Sequence, residues 1–431
     1  MLYKNVNLFL SRVRTSSIIT DSFWSLTGNV FGKGLALFAG ILVARFLGKD
    51  VYGEFGILRN TIFTIGVFST FGLGYTATKY IADFQNNNPS KIKSVIDNAN
   101  IITLGFSVSM AVLLFCFANF ISRNWLEAPH LNTPLRIFSV LVIFNAITTT
   151  QIGVLSGFKK FKQIARINII IGVITFILSI AFTYLYSLTG ALIALLIAQI
   201  VNCILNYRIV QSAVGNLESE KASDYNLLRE MIRFSTPIAL QEFLYCFSSW
   251  IFMYLLMKFS TYGEVGLYSV AMQWSGVILF IPGVLRNVTL AYLSGTINQV
   301  NNHNKVFNIM ILVSILATLF PTVIVYIFSD YIVNFYGESF KDLNAVLNIS
   351  VFTTLFHAIA NIYAQEYTAR NMNWIMLMIV TFKSFVIVGL YIYLENNFNQ
   401  PSATLLSLSI LIAMILTVAS LHMIYKLKKN N

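Results

Sequence analysis

The sequence predicts an all-α polytopic membrane protein of about twelve transmembrane helices in two pseudo-symmetric six-helix bundles, and three observations predict it. Hydrophobic residues fill 57% of 431 positions and charged residues only 11%, whereas a soluble domain carries roughly 25% charged residues. Apolar runs of about 20 residues, the length that crosses a bilayer core, recur from one end of the chain to the other. The polar stretches between them are short. A mean hydropathy of +0.72 leaves no water-soluble reading.

The runs place spans near 22–45, 55–78, 98–120, 135–156, 165–186 and 189–208, then near 232–257, 264–294, 307–329, 342–366, 372–394 and 402–425. Pro134, Pro237 and Pro401 stand at helix starts, where a missing N–H costs nothing. The span at 264–294 is long, and Pro282 is the expected place for it to break. Residues 209–231 form the longest polar stretch, joining an N-terminal bundle (1–208) to a C-terminal one (232–431). Residues 1–21 carry Lys4, Arg12 and Arg14 but no A-x-A-like cleavage site, so the first apolar run is expected to stay as a membrane anchor.

The formal charge of +12 is better explained by membrane topology than by nucleic acid. If the N-terminus is cytoplasmic, that side collects about twenty Lys and Arg residues against six on the other face. This bias predicts both termini in the cytoplasm and an even number of spans. Cys116, Cys203 and Cys246 all fall inside apolar runs, an odd set that argues against a disulfide framework. The four histidines are scattered, and neither a metal site nor a cofactor is expected.

An internal repeat is also visible. Tyr52-Gly53-Glu54-Phe55-Gly56 returns 210 residues later as Tyr262-Gly263-Glu264-Val265-Gly266, with Gly66 and Gly276 at the same displacement. The local reading is a tight turn on the outer side, with Gly permitting the bend and Glu suiting the positive end of the next helix. Six spans per copy give both halves one orientation, the parallel-repeat plan of several secondary transporters, with a cavity between the halves.

Several stretches resemble the polysaccharide (O-antigen and capsule) flippases of the multidrug/oligosaccharidyl-lipid/polysaccharide exporter superfamily. They are Phe23-Trp24-Ser25 through Gly28-Asn29-Val30, Ala44-Arg45-Phe46-Leu47-Gly48 with the Tyr-Gly-Glu motif that follows, and Phe71-Gly72-Leu73-Gly74 with Thr78-Lys79-Tyr80-Ile81-Ala82. Gly157-Phe158-Lys159-Lys160-Phe161-Lys162 and Phe234-Ser235-Thr236-Pro237 complete the set. The resemblance implies a bacterial inner-membrane protein that flips undecaprenyl-diphosphate-linked oligosaccharide units outward by alternating access through a cationic cavity. It implies as partners the lipid-linked oligosaccharide, membrane lipids, and the polymerase and chain-length proteins of the same glycan pathway.

A charged side chain at the centre of a span costs about 2.5–3.5 kcal/mol on insertion scales, so it usually faces a cavity or a partner. Lys33, Arg59, Arg286 and Lys383 meet this condition. They are candidates for a positive lumen that compensates a diphosphate, against the alternative that each snorkels to the interface. Glu242 is the one acidic residue read as lying well inside a span. Lys33 precedes its motif glutamate by 21 residues and Glu242 precedes its own by 22. The two are therefore expected at matching depth, either as an interbundle ion pair or with Glu242 as an ion-coupling group. Asn145, Gln151, Gln199, Asn202, Gln241, Gln273 and Asn361 line a sugar path or hydrogen-bond between helices, and His357 reads as a satisfied interior histidine. The glycines of the first two spans read as close-packing positions first and as bends second.

Two other classes compete. A multidrug or cation antiporter would favour acidic groups at mid-membrane, where basic ones predominate here. A membrane-embedded glycan-processing enzyme would need reactive residues gathered on a substantial loop, and neither a long outer loop nor a histidine–carboxylate cluster is evident. The chain is not expected to be an enzyme.

Overall fold

The computed structural model describes residues 17–215, 225–296, 300–370 and 372–429. Among them the helices run in the order α1 (Ser17–Thr70), α2 (Leu73–Asn87), α3 (Ile92–Phe120), α4 (Asn132–Gly157), α5 (Phe161–Val214), α6 (Tyr225–Phe259) and α7 (Tyr262–Ile278). They continue as α8 (Phe280–Thr296), α9 (Val300–Ile327), α10 (Ser329–Tyr336), α11 (Leu343–Ala369), α12 (Asn373–Asn397) and α13 (Ser402–Lys429). Seven of the described helices are long and apolar enough to cross a membrane, α5 counted as one. The chain is an all-helical, multi-pass membrane protein, and the other expected crossings fall on α1, α2, α6, α7 and α8.

Two of these helices are pairs in disguise. α5 is 54 residues long and turns at Ser187, whose φ of 54° and ψ of −135° are not helical. Each arm reaches about 40 Å at 1.5 Å per residue, enough for one crossing. The turn separates the spans expected at 165–186 and 189–208. Its tightness needs Gly190, because a side chain there would strike the Phe182 carbonyl. In the same way α1 turns at Gly48, with φ 73° and ψ 169°. This is a backbone that glycine adopts without penalty and other residues adopt at a cost.

Elsewhere the structure corrects the expected spans. The run at 55–78 is not continuous. Phe71 and Gly72 both take left-handed backbone, φ 45° and 67°, and α2 starts afresh at Leu73. Phe71 is held there by stacking on Phe106 at 4.4 Å and by its N–H bonded to the Val67 carbonyl at 3.0 Å. The long run at 264–294 breaks at Leu279, three residues before Pro282, so that Pro282 falls in the first turn of α8 where its missing N–H is harmless. Pro321 lies inside α9 without ending it.

By compactness the chain forms two units. One runs to Gly40 and resumes as Leu58–Phe247, and the other comprises Ile41–Ile57 and the chain from Ser248 onward. In the first, α2, α3, α4 and the start of α6 enclose a core of Leu73, Ile81, Val95, Ala99, Leu155 and Met231. Glycine lets these helices touch at the backbone: Gly153 lies against Gly74, Gly157 against Ile81, and Gly32 of α1 against Gly172 of α5. Thr78 Oγ1 donates to the Gly153 carbonyl at 2.9 Å, and Thr103 bonds Thr150 at 2.7 Å. The expectation of close packing therefore holds for Gly32 and Gly74, and the expectation of bending holds for Gly72.

The second unit brings the two copies of the repeat together, and this revises the reading of their glycines. Gly53 and Gly266 are inside helices. The bends lie just before them, at Gly48 and at Ser260–Thr261. A Cβ on Gly53 would strike the Tyr262 carbonyl and crowd the Gly266 nitrogen, and one on Gly266 would strike the Lys49 carbonyl. The motif is a backbone-to-backbone contact between its own two copies. Tyr52 closes the contact by donating to Gln273 Oε1 at 3.1 Å. The glutamate role survives in altered form. Glu264 sits in the first turn of α7, but its Oε2 accepts the Ala403 N–H at 2.7 Å and so caps the start of α13.

Candidate functional site

Lys383 lies ten residues into α12, near its middle, and is half-buried. The stripe Met378, Ile379, Phe382, Lys383 and Val386 follows the three- and four-residue spacing of one helix face. Opposite it, Ala413, Leu416, Thr417 and Ser420 form the matching face of α13. Between the two faces lies a groove of about 230 Å³ with Lys383 in its wall. The hydroxyls of α13 do not make the groove polar: Thr417 Oγ1 donates to its own helix at the Ala413 carbonyl, 2.7 Å away, and Ser420 Oγ to that of Leu416 at 2.8 Å. Lys383 is thus the single charge in a largely apolar crease.

No carboxylate reaches it among the described residues. Another base, His357 of α11, lies near enough to feel its charge. His357 is half-buried, as expected of an interior histidine. A lysine held at this depth without a counter-ion is unfavourable alone and complementary to an anion.

The other sequence-predicted residues are not among the lining of this groove. Lys33 is in the first arm of α1, but its side chain lies outside the described residues. Arg59 is exposed on the second arm and lies 5.9 Å from the ring centroid of Phe63, a cation–π contact. Arg286 is exposed on α8. Glu242 is half-buried on α6, on the same compact unit as Lys33 and Arg59. Lys383 and Arg286 belong to the second unit.

The amides expected inside the spans mostly bond between or along helices. Gln199 Nε2 donates to the Phe144 carbonyl at 3.4 Å, Gln151 reaches Cys203 Sγ at 3.8 Å, and Asn361 accepts from Gln365 at 3.3 Å.

Sequence reading missed a second charged cluster. Glu366, near the end of α11, is fully buried, and its Oε1 takes a hydrogen bond from His303 Nε2 at 2.9 Å and another from Arg370 Nε. Arg370 also lies over the Tyr425 ring, 5.6 Å from its centroid. Glu242 is therefore not alone as an acidic residue in the apolar interior. The missed signal was the pair Glu366 and Arg370, one helical turn apart; His303 is 63 residues away in sequence and carries no local mark. The cluster ties α9 to α11. Glu366→Ala is expected to destabilise the protein by about 1–3 kcal/mol, because it leaves buried His303 without its hydrogen-bond partner and half-buried Arg370 without its counter-charge. A double replacement, Glu366→Leu with Arg370→Met, should recover much of that loss. Thermal unfolding in detergent checks both, and an unchanged midpoint for the single variant would contradict the buried geometry.

On the first unit Lys79 lies 4.0 Å from the ring centroid of Phe234, so its charge is already engaged. Tyr80 donates to Glu230 at 2.9 Å; burial and that carboxylate push its hydroxyl up to about 12, and it stays neutral at any physiological pH.

Comparison with known proteins gives the chain's family and its fold. A family model described as polysaccharide biosynthesis protein matches residues 18–286. The lipid III flippase of Escherichia coli (strain K12) is 24% identical over 279 residues, covering 64% of this chain and 65% of that protein. An uncharacterized membrane protein of Methanocaldococcus jannaschii is 24% identical over 237 residues, covering 52% and 55%. The chain thus spans less than two-thirds of the length of these curated relatives. Among solved structures, a multidrug-resistance MATE family transporter of the MOP superfamily in an inward-facing conformation superposes with a TM-score of 0.81 at 12% identity, over 95% of this chain and 98% of that one. A lipid II flippase in an inward closed conformation gives 0.74 at 16%, over 94% and 88%. The fold is that of these transporters.

Proposed function

Because the chain belongs to the polysaccharide biosynthesis protein family, we propose that it moves an oligosaccharide unit linked to undecaprenyl diphosphate from the inner to the outer leaflet of a bacterial cytoplasmic membrane. The unit feeds an O-antigen, capsule or exopolysaccharide, and both termini of the protein face the cytoplasm. The observation that carries this reading is Lys383: a positive charge at mid-helix, facing an apolar groove, with no carboxylate beside it among the described residues.

The physical logic is that of an ion crossing oil. A diphosphate taken from water into hydrocarbon loses its hydration, at a cost of several kcal/mol per charge even after relaxation. Fixed positive groups offset that cost where they lie on the path. Lysine suits the task as a compact point charge on a flexible stem, able to follow a phosphate that has no fixed orientation. Lys33, Arg59 and Arg286 extend the same cationic path in this proposal, and Glu242 serves as an ion pair or coupling group. The two halves, 1–208 and 232–431, alternate access around the linker 209–231. A carrier of drug cations would need acidic groups at the depth of Lys383, which disfavours that activity despite the shared fold.

Deletion of the gene tests the proposal. Surface glycan should disappear and lipid-linked repeat units should accumulate with their sugars inaccessible to an external glycosidase. Normal surface glycan in the deletion strain would rule the function out.

A further inference from the structure

Oxygen-bearing side chains from three helices converge where α12 passes into α13. Tyr391 and Glu395 stand one turn apart on the same face of α12. Ser402 and Ala403 open α13, and Glu264 comes from the first turn of α7. Two of the bonds here hold the start of α13. Glu264 Oε2 accepts the Ala403 N–H at 2.7 Å, and Glu395 Oε1 accepts from Ser402 Oγ at 2.6 Å. The rest of the cluster is unbalanced. Tyr391 is fully buried, its ring packed edge-on against Phe259 with centroids 6.0 Å apart. Its hydroxyl lies beside Ser402 and Glu395 and within the field of Glu264, yet completes a hydrogen bond with none of them. Glu395 Oε2 is buried and equally without a partner. Buried polar atoms left unbonded are costly and rare in native folds. Among the described residues no lysine, arginine or histidine pairs with either carboxylate.

Two carboxylates held close together repel each other. The start of α13 supplies about half a positive charge, which leaves roughly one and a half negative charges unanswered. The donors are all oxygens, the ligand set of a hard cation, with no nitrogen or sulfur for a transition metal. Calcium takes about 6–8 oxygens, more than these side chains offer once the two caps are made. We propose that Glu264, Tyr391, Glu395 and Ser402 form a binding site for one sodium ion, which ties together the ends of α7, α12 and α13. The ion takes the Tyr391 hydroxyl and Glu395 Oε2 as ligands and leaves both caps in place. Glu395 is twelve residues beyond Lys383 on α12, about 18 Å at 1.5 Å per residue, so the site is separate from the groove. Binding here does not depend on what the protein carries.

The test is direct binding of radioactive sodium to the purified full chain in detergent, read by scintillation proximity, with melting temperature measured in parallel. A single ion should bind per chain. Sodium chloride should raise the melting temperature saturably, by at least about 2 °C over choline chloride at equal ionic strength. Glu395→Gln should abolish binding. Tyr391→Phe removes one oxygen and keeps the packed ring, so it should fold normally and weaken binding by about tenfold. That variant decides the matter should Glu395→Gln fail to fold. Glu338→Gln, which neutralises an exposed acid on the same compact unit, should bind sodium like the wild type. Absence of sodium binding, undiminished binding in Tyr391→Phe, equal stabilisation by choline, or stabilisation by calcium with none by sodium would each overturn the site.

Discussion

Lys383→Met should make the protein more stable and nearly stop glycan export, two effects of opposite sign from one substitution. The groove around Lys383 is apolar, and a lysine at the centre of a span costs about 2.5–3.5 kcal/mol on insertion scales. Methionine matches its length without that penalty, so the melting temperature in detergent should rise. Export should fall by roughly tenfold to a hundredfold, since a charge-assisted hydrogen bond contributes about 1.5–3 kcal/mol and each 1.4 kcal/mol is a factor of about ten. A buried charge that lowers stability is retained where function needs it. Export at the wild-type level, with expression matched, would mean that Lys383 is off the path. Lowered stability would mean that an unseen counter-charge had satisfied it.

Gly53→Val is expected to abolish folded protein. The position has no room for a side chain, because the atoms it would strike are the Tyr262 carbonyl and the Gly266 nitrogen, both main chain. Overpacking of side chains costs about 1–3 kcal/mol; here the neighbours cannot rotate away, so the penalty should exceed that range. Gly276 supplies the control. It belongs to the same repeat, yet a Cβ there meets nothing within 4 Å, and Gly276→Ala should be neutral or stabilising by up to about 1 kcal/mol through helix propensity. Thermal unfolding of the two purified variants checks the contrast. Equal midpoints would show that the two motif copies do not touch.

The fate of that motif illustrates what one-dimensional reading can and cannot reach. The 210-residue displacement was visible because identity between two segments is a property of the string. That Gly53 and Gly266 are contact points rather than turn residues was not visible, since both roles ask for glycine and only the position of the partner backbone distinguishes them. The same limit hid the Glu366–His303 pair, whose members come from different helices. It also hid the break at Phe71, where a bulky residue takes left-handed backbone that its own preferences oppose and that stacking on Phe106 holds in place.

The sequence by itself determined the class, the approximate position of the helices and the place of Lys383 near the middle of an apolar run, because bilayer thickness converts apolar run length directly into a span. Tertiary structure alone decided which charges lack partners, where the helices break and which faces form a groove. Those properties depend on atoms distant in the chain and adjacent in space, and a pattern read along one helix records its own face but not what lies across from it.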